Sequence, residues 1–159
     1  MSRNEDKTNV MRLLERNKIA YKSYNYLDSG AISGKDVIEV LGENPDNVFK
    51  TLVTVSKSDN HYVFLVPVSK ELDLKLASEV VSEKKIKMLK SKDLVSLTGY
   101  THGGCSPIGM KHKFPTIIDD SAKNFNTIYF SGGKIGYQVE LKLDDLSKII
   151  DFRLAHITK

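Results

Sequence analysis

NVFKTLVTVSKSDNHYVFLVPVS (residues 47–69) decides the architecture of this chain. Two runs rich in Val, Phe, Leu and Tyr flank the polar tetrapeptide Lys57, Ser58, Asp59, Asn60. Runs of that composition on either side of a short polar turn read as a β-hairpin. Strand alternation in the first run sets Val48, Lys50, Leu52 and Thr54 on one face. A lysine bracketed by apolar neighbours has two readings. It sits at an edge, where lysines block aggregation, or it points into a pocket, where its ammonium is a localised charge for an anionic or carbonyl group.

On the N-terminal side of the hairpin, Val10, Met11, Leu13 and Leu14 have helical spacing within residues 5–17. IAYKSYNY (19–26) reads as a strand with Tyr24 and Tyr26 on one face and Tyr21 on the other. Ser33 is placed to cap a helix over GKDVIEVL, which Gly42 ends. On the C-terminal side, LDLKLASEVV reads as a short helix capped by Asp73, KIKML as a strand, and SKDLVSLT as a helix ended by Gly99. FPTIIDD, NTIYFSGG and IGYQVELK read as three strands, and LDDLSKIIDF as a closing helix. Strands come in hairpin-like runs and outnumber helices. This predicts an α+β fold, a curved, mixed, barrel-like sheet flanked by helices, not repeating β-α-β units.

With 159 residues and no repeat, low-complexity tract or linker composition, the chain reads as a single domain over 1–159. The apolar fraction of 40% and charged fraction of 28% are those of an ordinary globular protein. No apolar run approaches the ~18 residues of a membrane span, and the first residues lack the pattern of a secretory signal. One cysteine cannot form an internal disulfide, which suits a reducing cytoplasm. The net charge of +4 is partly concentrated in SEKKIKMLKSKD (82–93), with five lysines, and in KHK (111–113). Such clusters contact nucleic-acid phosphates or simply form a solvated face.

The least ordinary segment is GYTHGGCSPIGMKHKFPTIID (99–119), with four glycines, two prolines and the lone Cys105 between His102 and His112. A cysteine nucleophile needs a base or a setting that lowers its pKa. Neither a cysteine-protease signature nor the paired spacings of structural zinc is present. The glycines carry more. Gly103 and Gly104 let backbone approach a ligand, Pro107 stiffens the loop, and successive N–H groups in such a turn form a concavity for an oxyanion. The alternative is a plain helix-to-strand turn. SGGKIG (131–136) has neither the P-loop spacing nor the dinucleotide fingerprint.

Taken in order, FKTLV and its hairpin, LDLKLA, TGYTHGGCSPIGMKHKFPTIID and TIYFSGGKIGYQVEL resemble the YbaK/EbsC family of aminoacyl-tRNA deacylases, related to the editing domain of prolyl-tRNA synthetase. The resemblance runs from about residue 5 to 150. It implies hydrolysis of misacylated tRNA(Pro), by removal of cysteine in one branch and alanine in others, without a cofactor. It implies that Lys50 is the essential lysine, with Thr51 beside it, and that Gly103, Gly104, Cys105, Ser106 and Pro107 form the G-x-x-x-P loop. It further implies pocket roles for Tyr24, Ser33, Ser131 and Gln138. Family members often have an aromatic residue at the position of Ser33 and an aspartate at that of Gln138, so amino-acid preference is the least transferable property. Lys84, Lys85, Lys87, Lys111 and Lys113 are candidates for tRNA phosphates. Aminoacyl-tRNA(Pro) is the implied partner, with prolyl-tRNA synthetase a further candidate, for a cytoplasmic monomer or weak homodimer. A binding module that holds tRNA without hydrolysing it is the rival from another class.

Overall fold

The computed structural model describes residues 7–26 and 44–159. Ser33 and the helix expected after it lie outside the described residues.

The hairpin forms as read. Strand β2 (Phe49–Ser56) pairs antiparallel with β3 (His61–Pro67), from Phe49 opposite Pro67 to Val55 opposite His61. Asp59 takes φ 66° in the turn. Glu83 locks that turn by accepting from Tyr62 Oη (2.6 Å), Ser58 Oγ (2.8 Å) and Asn60 Nδ2 (3.1 Å). These bonds, Tyr62's first, hold the Glu83 carboxyl down to about 2.

Around the hairpin stand β1 (Lys22–Asn25), β4 (Ile86–Met88), β5 (Thr116–Asp119), β6 (Ile128–Ser131), β7 (Tyr137–Leu141) and β8 (Arg153–Ala155). Four α-helices accompany them among the described residues: α1 (Asn9–Arg16), α2 (Leu74–Val80), α3 (Ser91–Thr98) and α4 (Leu143–Leu146). A five-stranded mixed sheet has the order β4-β2-β3-β5-β8, with β5 parallel to both β3 and β8. A three-stranded antiparallel sheet has the order β1-β7-β6. The two are joined by a parallel bridge between Val48, just before β2, and Tyr129 of β6, where the Tyr129 amide donates to the Asn47 carbonyl at 3.0 Å. The expected curved, mixed sheet is therefore two sheets meeting along β2, and they do not close into a barrel.

Alternation sorts the core. One face of β2 and β3 (Phe49, Val53, Val63, Leu65) meets Val10, Met11 and Leu14 of α1 and the inner face of the small sheet, Ile128, Phe130, Val139 and Leu141. The opposite face (Leu52, Phe64, Val66) packs with Ile117, Leu72, Ala77 of α2 and Ile157. Each such side chain, removed from water, contributes about 1.5–3 kcal/mol.

The helix ends follow their capping chemistry. Asp73 Oδ1 accepts from the Lys75 and Leu76 amides at 3.0 and 3.1 Å, and Gly99 ends α3 at φ 84°. The predicted closing helix over 143–152 is only one turn, α4. Ile149, Ile150 and Phe152 have helical spacing, but turns suffice to place them on the core. The chain then supplies β8, which sequence reading did not anticipate, to the edge of β5. Asp119 ties these ends together. Its Oδ2 accepts from Ser121 Oγ and N (2.6 and 3.3 Å), and its Oδ1 from Ile157 N and Thr158 Oγ1 (3.1 and 3.3 Å).

Candidate active site

Two registers bring the expected residues together. In the small sheet, Tyr24 is opposite Gln138, and Gln138 is opposite Ser131. Paired residues in a ladder share a face, so these three side chains lie side by side, on the surface opposite Phe130 and Val139. The bridge from Val48 to Tyr129 carries this face onto β2. Val48 and Lys50 alternate to the same side. Lys50, far from the others in sequence, is thus continuous with Tyr129, Ser131, Gln138 and Tyr24. It is half-buried, and among the described residues its ammonium has no carboxylate partner.

Thr51 is turned the other way, between Phe49 and Val53. Among the described residues its buried hydroxyl has no hydrogen-bond partner. The structure does not bring that side chain together with Lys50.

Sequence reading missed three residues on the site face or at its border. Glu140, two positions after Gln138, accepts from Tyr24 Oη at 2.7 Å and from Thr127 Oγ1 at 2.5 Å, and the Tyr24 and Tyr129 rings are tilted against each other with centroids 5.8 Å apart. Burial, then the hydrogen bond to Glu140, raises the Tyr24 pKa and keeps the phenol protonated. Burial would raise the Glu140 carboxyl too, but bonds from Thr127, Tyr24 and Tyr129 and the charge of Lys22 outweigh it and hold the carboxyl below the usual range. The signal lay in YQVELK, whose alternation puts Glu140 on the face of Gln138.

The glycine loop borders this face at the β6–β7 turn. A Cβ on Gly104 would lie 3.0 Å from the Ile135 nitrogen and 3.2 Å from the Lys134 carbonyl carbon, so only glycine lets the two loops meet. Gly103 takes φ 89°. Ser131 Oγ accepts from the Gly133 amide at 3.2 Å, which fixes the facing turn. The Gly104 amide donates to the Thr101 carbonyl at 3.0 Å; among the described residues the Gly103 and Cys105 amides have no backbone acceptor. Ser106 and Pro107 are buried, and Ser106 Oγ accepts from the Ile108 amide. The phenol of Tyr100 donates to the Ile108 carbonyl, so the loop is held from inside as well.

The sequence profile of the aminoacyl-tRNA editing domain matches residues 30–149. The chain belongs to this family. Among its relatives, the Enterococcus faecalis protein named "Putative Cys-tRNA(Pro)/Cys-tRNA(Cys) deacylase EbsC" is 41% identical over 155 residues, 97% of this chain and 94% of the relative. The fold matches the structure described as "a putative trans-editing enzyme for prolyl tRNA synthetase" with a TM-score of 0.81 at 19% identity, covering 96% of this chain and 98% of that one. It matches "hypothetical protein APE2540" with a TM-score of 0.85 at 17% identity, covering 96% and 100%.

In this editing domain Cys105 has the environment of a core residue. Burial pushes its thiol up to about 12, a shift that the Thr98 hydroxyl only partly offsets, whereas His102 and His112 are exposed. A thiol so hard to ionise is a poor nucleophile. Oxygens of Asp119 and Asp120 and a nitrogen of His156 lie within 4.8 Å of one another, but the Asp119 carboxylate already receives four donors and serves the fold. The lysines divide. Lys85 and Lys87 line a groove of about 790 Å³ at the far end of β2, and Lys111 borders a smaller cleft of about 350 Å³ beside α1. Lys84 and Lys113 are exposed and line neither. No helix among the described residues is long and apolar enough to cross a membrane.

Proposed function

We propose that this editing domain is an aminoacyl-tRNA deacylase that acts in trans on misacylated tRNA(Pro), with Cys-tRNA(Pro) as its preferred substrate. The observation that carries the reading is the single face on which Lys50, Tyr24, Ser131 and Gln138 converge beside a glycine loop that retains amide donors. Membership of the family and the printed function of the 41%-identical relative support it.

An aminoacyl ester is already activated, so positioning and stabilisation of the tetrahedral oxyanion supply the catalysis. The amides of Gly103 and Cys105 receive the developing oxyanion. Lys50 holds the terminal ribose or the aminoacyl group by charge-assisted hydrogen bonds. Tyr24, oriented by Glu140, and Ser131 and Gln138 line the side-chain pocket. For a cysteinyl ester the substrate's own thiol attacks its carbonyl. The new C–S bond closes a thiolactone, the ester C–O bond breaks, and the ribose oxygen leaves with the proton. For other esters, water takes the place of the thiol. The protein acts in the cytoplasm beside prolyl-tRNA synthetase, where the misacylated product arises.

A deacylation panel of Cys-, Ala-, Ser- and Pro-tRNA(Pro) tests this. Cys-tRNA(Pro) should be turned over fastest, and Lys50→Ala should lower kcat by about 10²-fold, the scale of one lost oxyanion-type contact. Release of no amino acid from any of the four, or full activity in Lys50→Ala, would remove the reading.

A further inference from the structure

The larger of the two grooves described above is not at the candidate active site. It lies between β4, the outer strand of the five-stranded sheet, and α3, and Lys57, Lys85, Lys87, Lys90 and Lys92 line it. Asp59 and Asp93 also line it, so three positive charges remain in balance. Among the described residues none of the five lysines is ion-paired. Glu83, two residues before Lys85, is occupied by Tyr62, Ser58 and Asn60. A concave surface with this surplus attracts a polyanion whose charges are regularly spaced along a track.

Its position relative to the candidate site identifies the polyanion. Strand β3 occupies one edge of β2 along its length, so β4, opposite residues 54–56, and the bridge to β6 at Val48 share the other edge. The basic groove and the Lys50 face are therefore two stations on one edge. From Lys50 to Ser56 is six residues of β2, roughly 20 Å at about 3.3 Å per residue. Stacked nucleotides advance about 3.4 Å each along one strand, so this span equals about six nucleotides. If the last nucleotide of a tRNA presents its ester at Lys50, the phosphates that reach the groove come after the single-stranded end, at the first pairs of the acceptor stem.

We propose that this groove binds the sugar-phosphate backbone of the acceptor stem of the substrate tRNA. The inference rests on the deacylase reading for the location of the 3′ end. Contacts of this kind fix register and carry no sequence information. The groove thus gives general tRNA affinity, and amino-acid selection stays at the Lys50 face.

The test uses the full chain and the triple variant Lys85→Gln, Lys87→Gln, Lys90→Gln. Fluorescence anisotropy measures binding of uncharged tRNA(Pro) transcript between about 50 and 200 mM salt, where each phosphate contact contributes roughly 0.7–0.9 to the slope of log K against log salt. The variant should bind at least about tenfold more weakly, with a slope shallower by about 2–3. Its KM for aminoacyl-tRNA should rise by the same factor at unchanged kcat. Its KM for a short aminoacylated oligonucleotide that ends before the stem should not change. Wild-type affinity and slope in the variant would overturn the proposal, and so would an equal loss on both substrates. If the wild type hydrolyses neither substrate but the variant still loses tRNA binding and slope, the deacylase reading fails and the groove stands as an RNA surface.

Discussion

Gly104→Ala tests whether the placement of the glycine loop, and not its mere presence, supports activity. The added methyl would lie 3.0 Å from the Ile135 nitrogen and 3.2 and 3.3 Å from Lys134 backbone atoms, whereas ordinary contact begins at 3.4 Å. Backbone cannot swing aside like the end of a side chain, so the loop and the β6–β7 turn must separate by at least 0.4 Å. Overpacking of this kind costs about 1–3 kcal/mol, which for a chain of this size lowers Tm by roughly 3–10 °C. A misplacement of about 1 Å costs about 10²-fold in rate, so a shift of this size should lower single-turnover deacylation roughly tenfold. Gly99→Ala is the matched control. Gly99, unlike Gly104, has positive φ, at 84°, but among the described residues its added methyl would meet only Lys111 Cβ, at an ordinary 3.9 Å, and it caps α3. It should lose about 1 kcal/mol and keep its kcat. The reasoning fails if Gly104→Ala melts early yet turns over at the wild-type rate, or if Gly99→Ala loses as much rate.

Three further outcomes follow from the site. Cys105→Ala should retain most turnover and lose about 1 kcal/mol of stability through lost sulfur contacts; abolished activity at unchanged fold would restore the thiol to the mechanism. Thr51→Val should stabilise the protein by about 1 kcal/mol in urea unfolding, because it removes a buried hydroxyl that has no partner among the described residues; lost activity in a stable variant would mean that a substrate uses this hydroxyl. Glu140 has a folded pKa below its ordinary 4.5, so its contribution to stability is full above that value and fades as pH falls through the lower folded value. Glu140→Gln should therefore flatten the acid limb of the stability–pH curve and, by loosening Tyr24, raise KM more than it lowers kcat. An unchanged acid limb would count against the Tyr24–Glu140–Thr127 arrangement.

The parts of the fold legible in the sequence are those fixed by local periodicity. The hairpin, the Asp73 cap and the Gly99 stop follow from alternation and terminal chemistry, and each is present. Strand β8 was not legible, because three residues have no periodicity and their strand character comes from the exposed edge of β5. The one-turn α4 shows the converse: Leu146, Ile149 and Ile150 have helical spacing, yet the core accepts them from turns. At the site, alternation placed Lys50 with Val48 and Leu52 but could not say what lay beside them. The answer came from a non-local bridge to Tyr129, and no pattern near residue 50 encodes it. Resemblance supplied Tyr24, Ser131 and Gln138, and the registers explain why those positions belong together. Glu140 escaped because a glutamate on an alternating strand looks like an ordinary solvent-facing residue until Tyr24 and Thr127 are found donating to it.

The Val48–Tyr129 bridge has a consequence for how the protein would fail. The two halves of the candidate site belong to different sheets, hinged where the Tyr129 amide meets the Asn47 carbonyl and the Asn47 side chain reaches toward the Thr127 carbonyl at 3.4 Å. The junction is not polar alone: Val48 is itself buried, and Phe49, Val53, Val63 and Leu65 of one sheet share a core with Ile128, Phe130, Val139 and Leu141 of the other. Parting Lys50 from Tyr24 and Ser131 would open that shared core, so catalytic competence and the fold should be lost in one cooperative transition.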